Sequence, residues 1–161
     1  FFPYLMGERL LGSPSARGSF FGLRPHHQRK HFARAVMEGV CYDLKMSLDE
    51  IEKWYSGTIG EMSVIGGGAR SSLWCQLKAD IYQKKVYTLA ESEGGIIGAA
   101  LLAFSAISQN PVDEIAEKWL KVKQVYVPDK SLFNEYQKQY KNFCLFHDIF
   151  QQAYRCFGKE N

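Results

Sequence analysis

Cysteine is scarce. The four present, Cys41, Cys75, Cys144 and Cys156, form no C-x-x-C pair and no set with histidine at zinc-ligand spacing. So few cysteines in 161 residues argue against a disulfide framework and for reduced thiols, as in a cytoplasmic protein. No apolar run reaches the ~20 residues that a membrane helix needs. The apolar start Phe1-Phe2-Pro3-Tyr4 has no basic segment before it, so no signal peptide is expected. Charge of one sign is missing as well. The 20 Lys and Arg stand against 17 Asp and Glu, a net charge of +3, too balanced to indicate a nucleic-acid or anionic-membrane binder. There is no internal repeat and no low-complexity tract. The chain starts without methionine, inside an apolar segment, which leads us to expect a piece of a longer protein.

What is present is an ordinary globular composition. Hydrophobic residues make up 46% and charged residues 23%, and 11 Phe and 9 Tyr offer a sizeable core. Glycine, proline and serine punctuate residues 1–25, so turns and short extended pieces are expected there. A long helix is predicted over 27–55. Phe32, Val36, Val40, Leu44 and Leu48 recur every fourth residue, and Ala33, Met37 and Ile51 widen the stripe. Ser47 and Glu50 would make a capping box, but the unbroken stripe favours one continuous helix. Met62–Ile65 reads as a short buried strand between glycine signals. A second helix starts near Ser71 or Ser72 with Leu73, Leu77 and Ile81 on one face, and Lys85–Thr88 reads as another strand. Gly94–Phe104 is a helix of small and apolar residues. Asn110 is placed as the cap of the next helix, with Pro111 at its first position. Ser131 opens a long amphipathic helix to about Phe157, with Tyr136, Tyr140, Phe143, Phe150 and Phe157 on its apolar side. The pattern is helix-rich α/β with two or three strands. So small a sheet rarely stands alone among this many helices, so further strands are expected upstream of Phe1.

The most distinctive segment is strand, Gly66-Gly67-Gly68-Ala69, then helix. Three successive glycines strip every Cβ from the turn, so a flat ligand or a phosphate chain can lie against bare backbone. The helix N-terminus beyond it favours anions. The residues themselves read equally well as a tight turn with no ligand. The phosphate loop of P-loop proteins is excluded, because no Gly-Lys-Ser/Thr follows. The dinucleotide fingerprint is excluded too, because Ser71 stands where its third glycine belongs.

Four stretches in register carry a resemblance. They are Phe2-Pro3-Tyr4-Leu5-Met6-Gly7-Glu8-Arg9 with Ala16–Leu23; Ala33-Arg34-Ala35-Val36-Met37-Glu38-Gly39-Val40; Gly66–Trp74 with Gln76 and Ala79-Asp80; and Glu93-Gly94-Gly95-Ile96-Ile97-Gly98-Ala99-Ala100. Over roughly residues 2–105 the chain resembles the C-terminal domain of the FGGY family of carbohydrate kinases. Within it the motifs are most similar to xylulose kinases and the neighbouring gluconate kinases. The resemblance implies the C-terminal part of an actin-like, ribonuclease-H-like ATPase fold. Residues 1–161 would then be the nucleotide-side portion, with the N-terminal sugar-binding domain absent from this chain. It implies ATP-dependent phosphorylation of a sugar or a sugar-derived polyol or acid. Gly66, Gly67, Gly68 and Ala69 would pack on adenosine, and Ser72 would reach the base or ribose. It places the catalytic base and the Mg²⁺ ligands outside this chain, so no catalytic or metal residue is assigned here and the chain alone should not turn over. ATP or ADP and the sugar are the implied partners, and a homodimer is compatible with the resemblance.

Other candidates read as structure. Arg24, His26, His27, Arg29, Lys30, His31 and Arg34 form a basic stretch, but the net charge is small and no carboxylate or cysteine stands at ligand spacing nearby, so a solvated helix start is preferred to a nucleic-acid site or a metal site. Glu8 and Arg9 form a charged pair in a turn-rich segment, which could face a cleft between domains or hold the loop through an ion pair with Arg17 or Glu38; the structural role is preferred. Glu38 follows Arg34 by four residues, the spacing of a helical ion pair. The bare face of Gly94, Gly95, Gly98, Ala99 and Ala100 suggests close packing on the sheet or on a partner domain. The rival functional class is a non-catalytic kinase-like module that binds nucleotide or a protein partner.

Overall fold

The computed structural model describes residues 1–8, 14–55, 57–90 and 93–156. Arg9 and Phe157, to which the sequence assigned places, lie outside them. The chain divides into two compact units, Phe1–Thr58 with Lys130–Asn161, and Ile59–Asp129.

The first unit is built on two helices, α1 (Arg29–Trp54) and α5 (Phe133–Tyr154). α1 is continuous. Ser47 does not cap a second start, because its hydroxyl donates back to the Asp43 carbonyl at 3.3 Å. The expected apolar stripe is only partly buried: Leu48 is enclosed, whereas Val36, Leu44 and Ile51 are exposed. A row at every fourth residue drifts by about 40° per step, so it winds off any straight contact face. The buried line instead includes Gly39, Cys41 and Tyr42. Aromatics fill the centre. Phe2 stacks on Phe143 at 4.7 Å between centroids and meets Phe150 edge-on at 5.2 Å. Phe2 also pairs with Ser19 through two backbone hydrogen bonds of 2.8 and 3.2 Å. Polar links join the helices. The Arg34 guanidinium bonds Glu38 at 2.5 Å and the Tyr136 hydroxyl at 2.6 Å, and the Tyr140 hydroxyl donates to Asp49 at 2.5 Å. The Arg34–Glu38 pair is the one the spacing suggested.

The second unit holds a three-stranded sheet in the order β1 (Glu61–Val64), β2 (Lys85–Leu89), β3 (Val122–Tyr126). β1 and β2 are parallel, with Glu61 opposite Lys85, and are joined through α2 (Ser72–Tyr82). β3 runs antiparallel to β2, with Val86 opposite Tyr126. Cys75 and Ala79 of α2 pack on Val86 and Tyr126, with Val64 beside them. Short side chains on α2 let it sit close to the sheet.

β1 was expected to be buried and is not. Its residues alternate between exposed and half-buried, because it is an edge strand and one side of the pleat, with Glu61 and Ser63, lines an open groove with Lys85 and Tyr87. α3 (Gly94–Ser108) extends four residues beyond the expected end. Its bare face is not packed at Gly95 or Gly98, where an added Cβ would meet nothing within 4 Å. α4 (Val112–Trp119) begins one residue later than expected, with Pro111 at the cap position. Gln109, left-handed at φ 60°, ends α3, and the Asn110 carbonyl accepts from Ser105 at 2.7 Å, which holds Asn110 to the end of α3. Ser131 falls inside a short 3-10 turn, Lys130–Leu132, ahead of α5.

Candidate functional site

The parallel pairing of β1 and β2 puts their carboxyl ends on the same edge of the sheet. Open α/β sheets bind ligands outside the carboxyl ends of their strands. Both glycine motifs of the second unit arrive at this edge. After β1, Gly66 takes φ 74° and ψ −161°, a region that is essentially closed to residues with a Cβ. The Ala69 N–H closes the turn on the Gly66 carbonyl at 3.1 Å, and Gly67–Arg70 form one 3-10 turn. Ser71 then caps α2, its hydroxyl accepting the Trp74 N–H at 3.3 Å.

The second glycine motif opens α3. Gly94 lies so close to Ile65 that a Cβ there would stand 2.5 Å from the Ile65 Cδ1. Arg70 reaches Glu93 at 3.5 Å, an exposed ion pair that ties the two turns together. Residues almost thirty positions apart in sequence thus flank one corner.

The turn presents two distinct sides. A Cβ added at Gly66 or Gly67 would meet no atom within 4 Å, so backbone at both positions faces open space. Gly68 differs: a Cβ there would lie 3.2 Å from the Lys78 Nζ and 3.8 Å from the Trp74 ring. Beneath the turn, the Cys75 thiol points at the carbonyls of Gly68 and Ala69, at 3.6 and 3.8 Å. Burial pushes the Cys75 pKa up, which keeps the thiol in its donating form. Ala69 is half-buried, and Ser72, the first helical residue of α2, is exposed at the same corner. Of the five residues singled out in the sequence, Gly66, Gly67, Gly68 and Ala69 lie in the turn and Ser72 opens the helix that follows it.

Gln76 and Asp80, part of the same motif, are structural. The Gln76 amide donates to Asp80 at 2.8 Å and to the Val127 carbonyl at 2.9 Å, and Asp80 also accepts the Asp129 N–H at 2.9 Å. They fasten the segment after β3 to α2. The basic stretch has a local structural use too. His27 Nδ1 accepts from the Arg24 N–H at 3.2 Å, and His31 Nδ1 from the Gln28 N–H at 2.9 Å, so both rings hold the entry to α1. Among the described residues no group of three His, Cys, Asp or Glu could hold a metal ion, and no helix is long and apolar enough to cross a membrane. Arg17 turns to the Pro14 and Ala16 carbonyls at 3.5 and 3.0 Å. The sequence reading missed Lys78, since a lysine in the middle of an amphipathic helix gives no signal of burial.

A small sheet with a glycine turn at its carboxyl edge, set among helices, defines the C-terminal part of an actin-like, ribonuclease-H-like ATPase domain. Comparison with known proteins specifies the family. Residues 1–107 match the C-terminal domain of the FGGY family of carbohydrate kinases, and the chain belongs to that family. It is 35% identical over 155 residues to a xylulose kinase of Staphylococcus epidermidis, covering 95% of this chain and 30% of that protein. A gluconokinase of Bacillus licheniformis is 32% identical over 139 residues, 86% of this chain and 27% of its own length. The ligand-bound crystal structure of xylulose kinase from Lactobacillus acidophilus superposes with a TM-score of 0.83 at 31% identity, over 97% of this chain and 32% of that one. The chain thus spans about 30% of the length of the curated relatives it matches. The superposition also takes in residues beyond 107, so α4, β3 and α5 belong to the shared architecture even though no family motif was read there.

Proposed function

We propose that this chain is the nucleotide-side, C-terminal portion of an ATP-dependent carbohydrate kinase, with residues 1–161 forming one jaw of the cleft and the sugar bound mainly by an N-terminal domain. Gly66, Gly67, Gly68 and Ala69 lie along adenosine, and Ser72 reaches the base or ribose. The phosphoryl acceptor is a hydroxyl of a sugar or of a sugar-derived polyol or acid, in keeping with the names xylulose kinase and gluconokinase among the relatives. Phosphoryl transfer needs positioning, Mg²⁺ and electrostatic stabilisation of the moving group. Among the described residues the acid at this corner, Glu93, is paired with Arg70, and the family resemblance assigns the base and the Mg²⁺ ligands to sequence outside this chain. What these residues do is bind and orient the nucleoside end.

The observation that carries this reading is the open backbone at Gly66 and Gly67, at the carboxyl edge of the parallel pair. A purine nucleoside can lie flat against backbone that carries no Cβ atoms, and these two positions offer such backbone. The test is Gly67→Val in the full-length protein, with ATP and sugar binding measured separately by calorimetry. Affinity for ATP should fall by about tenfold or more while sugar affinity stays within about twofold. Unchanged ATP affinity would overturn the assignment.

A further inference from the structure

The inner side of the turn holds a charge with no counterpart. Lys78, on α2, is 7% exposed, and lysine is seldom so enclosed unless paired. Among the described residues its ammonium forms no hydrogen bond and no ion pair. Its neighbours are the Trp74 ring, with the centroid 4.8 Å away, and the bare Gly68. Two acids of the same unit are engaged elsewhere: Asp80 holds Gln76 and the Asp129 N–H, and Glu93 meets Arg70. An indole face offers a cation some attraction, but it satisfies none of the three N–H donors as an acceptor would. Enclosing a cation without an anion is costly. The side chain is enclosed along its stem, yet the nitrogen is not among the sealed polar atoms that lack a partner. It is therefore not fully sealed, and its surroundings include the position a Cβ would take at Gly68.

We propose that Lys78 receives the anionic phosphate chain of the nucleotide, as a binding residue on the inner side of the glycine turn. The inference rests on the nucleotide reading given above and adds to it a division of labour among the glycines. Gly66 and Gly67 leave room for the nucleoside. Gly68 leaves the ammonium uncovered, because any side chain there would lie over Nζ. The N-terminus of α2, which follows the glycine turn, favours the same charge. Phosphate is thereby drawn from the nucleoside toward Lys78, and ADP is bound more tightly than adenosine by an electrostatic contact this chain supplies.

The experiment compares adenosine, AMP and ADP binding to the full-length protein by calorimetry, for wild type, Lys78→Met, Lys78→Gln and Lys78→Arg. Lys78→Met should weaken ADP by about tenfold or more and leave adenosine within about twofold. Lys78→Arg should restore most of the ADP affinity. Lys78→Gln keeps a polar tip, so it remains usable if the Met variant fails to fold, and it should show the same split between ADP and adenosine. Loss of ADP and adenosine affinity in equal measure would overturn the proposal, as would no loss of either. Gly67→Val, run alongside, separates the two claims. If it leaves adenosine binding intact, the nucleoside reading falls. If it abolishes adenosine binding while both neutral Lys78 variants bind ADP normally, only the Lys78 assignment falls.

Discussion

Two glycines show how one residue type answers opposite demands. Gly66 needs its conformation, φ 74° with ψ −161°, and has empty space around it. Gly39, in the middle of α1, has ordinary helical backbone, but the Phe1 carbonyl oxygen rests where its Cβ would be. Gly67 has neither constraint: no positive φ and no neighbour within 4 Å. The consequences for stability follow in order. Gly39→Ala forces backbone apart and should cost about 2 kcal/mol or more, as overpacking does. Gly66→Ala pays only in torsional strain, about 1–3 kcal/mol. Gly67→Ala should leave stability within about 0.5 kcal/mol, as at an unconstrained surface site. Urea unfolding of the three variants checks the ranking. An equal cost at all three would mean that the turn at Gly66–Gly68 is held by contacts not seen in the structure. The ranking also explains why Gly67, and not Gly66, is the position at which to probe nucleotide binding.

At the scale of elements, local signals were legible and edges were not. The start of α2 could be read because Ser71 satisfies a free N–H with its own hydroxyl, a local event that two or three residues encode. Ser71→Ala should therefore lower stability by about 1 kcal/mol, measurable as a shift in the urea midpoint. No shift would mean that water replaces the cap. The glycine turn could be read for the same reason, since a run without Cβ atoms is visible in sequence. β3 was not located, although a third strand was allowed for. Val122, Val125 and Val127 are exposed, so Val122–Tyr126 carries no clean alternation, and only pairing with β2 makes it a strand. β1 was located but misread as buried, because burial depends on what covers the second face of a sheet. The approach of α3 to β1 at Gly94 and Ile65 was equally hidden. It joins distant residues, and sequence motifs in register supplied only the two halves.

At the scale of the whole molecule, the second unit has apolar surface that its own residues do not cover. On α3 only Leu101 is buried, whereas Ile96, Leu102 and Ile107 are 70, 64 and 83% exposed. A helix apolar on all sides is normally an interior helix. The chain spans about 30% of the length of its relatives, and in the proposed reading that surface belongs to one jaw of a larger enzyme. In the proposed reading the corner at Gly66–Ser72 holds one end of a nucleotide, and transferring a phosphoryl group also requires a metal-held γ-phosphate and a base at the acceptor hydroxyl. The purified 161-residue chain should therefore show no ATP-dependent phosphorylation of xylulose or gluconate in a coupled ADP-release assay, whereas the full-length protein should phosphorylate one of the sugars or sugar acids in a panel. Robust turnover by the 161-residue chain would refute the division of labour between two domains. ATP binding by the full-length protein, with no turnover on any member of the panel, would instead favour a kinase-like binding module, and the glycine corner would then serve recognition without transfer.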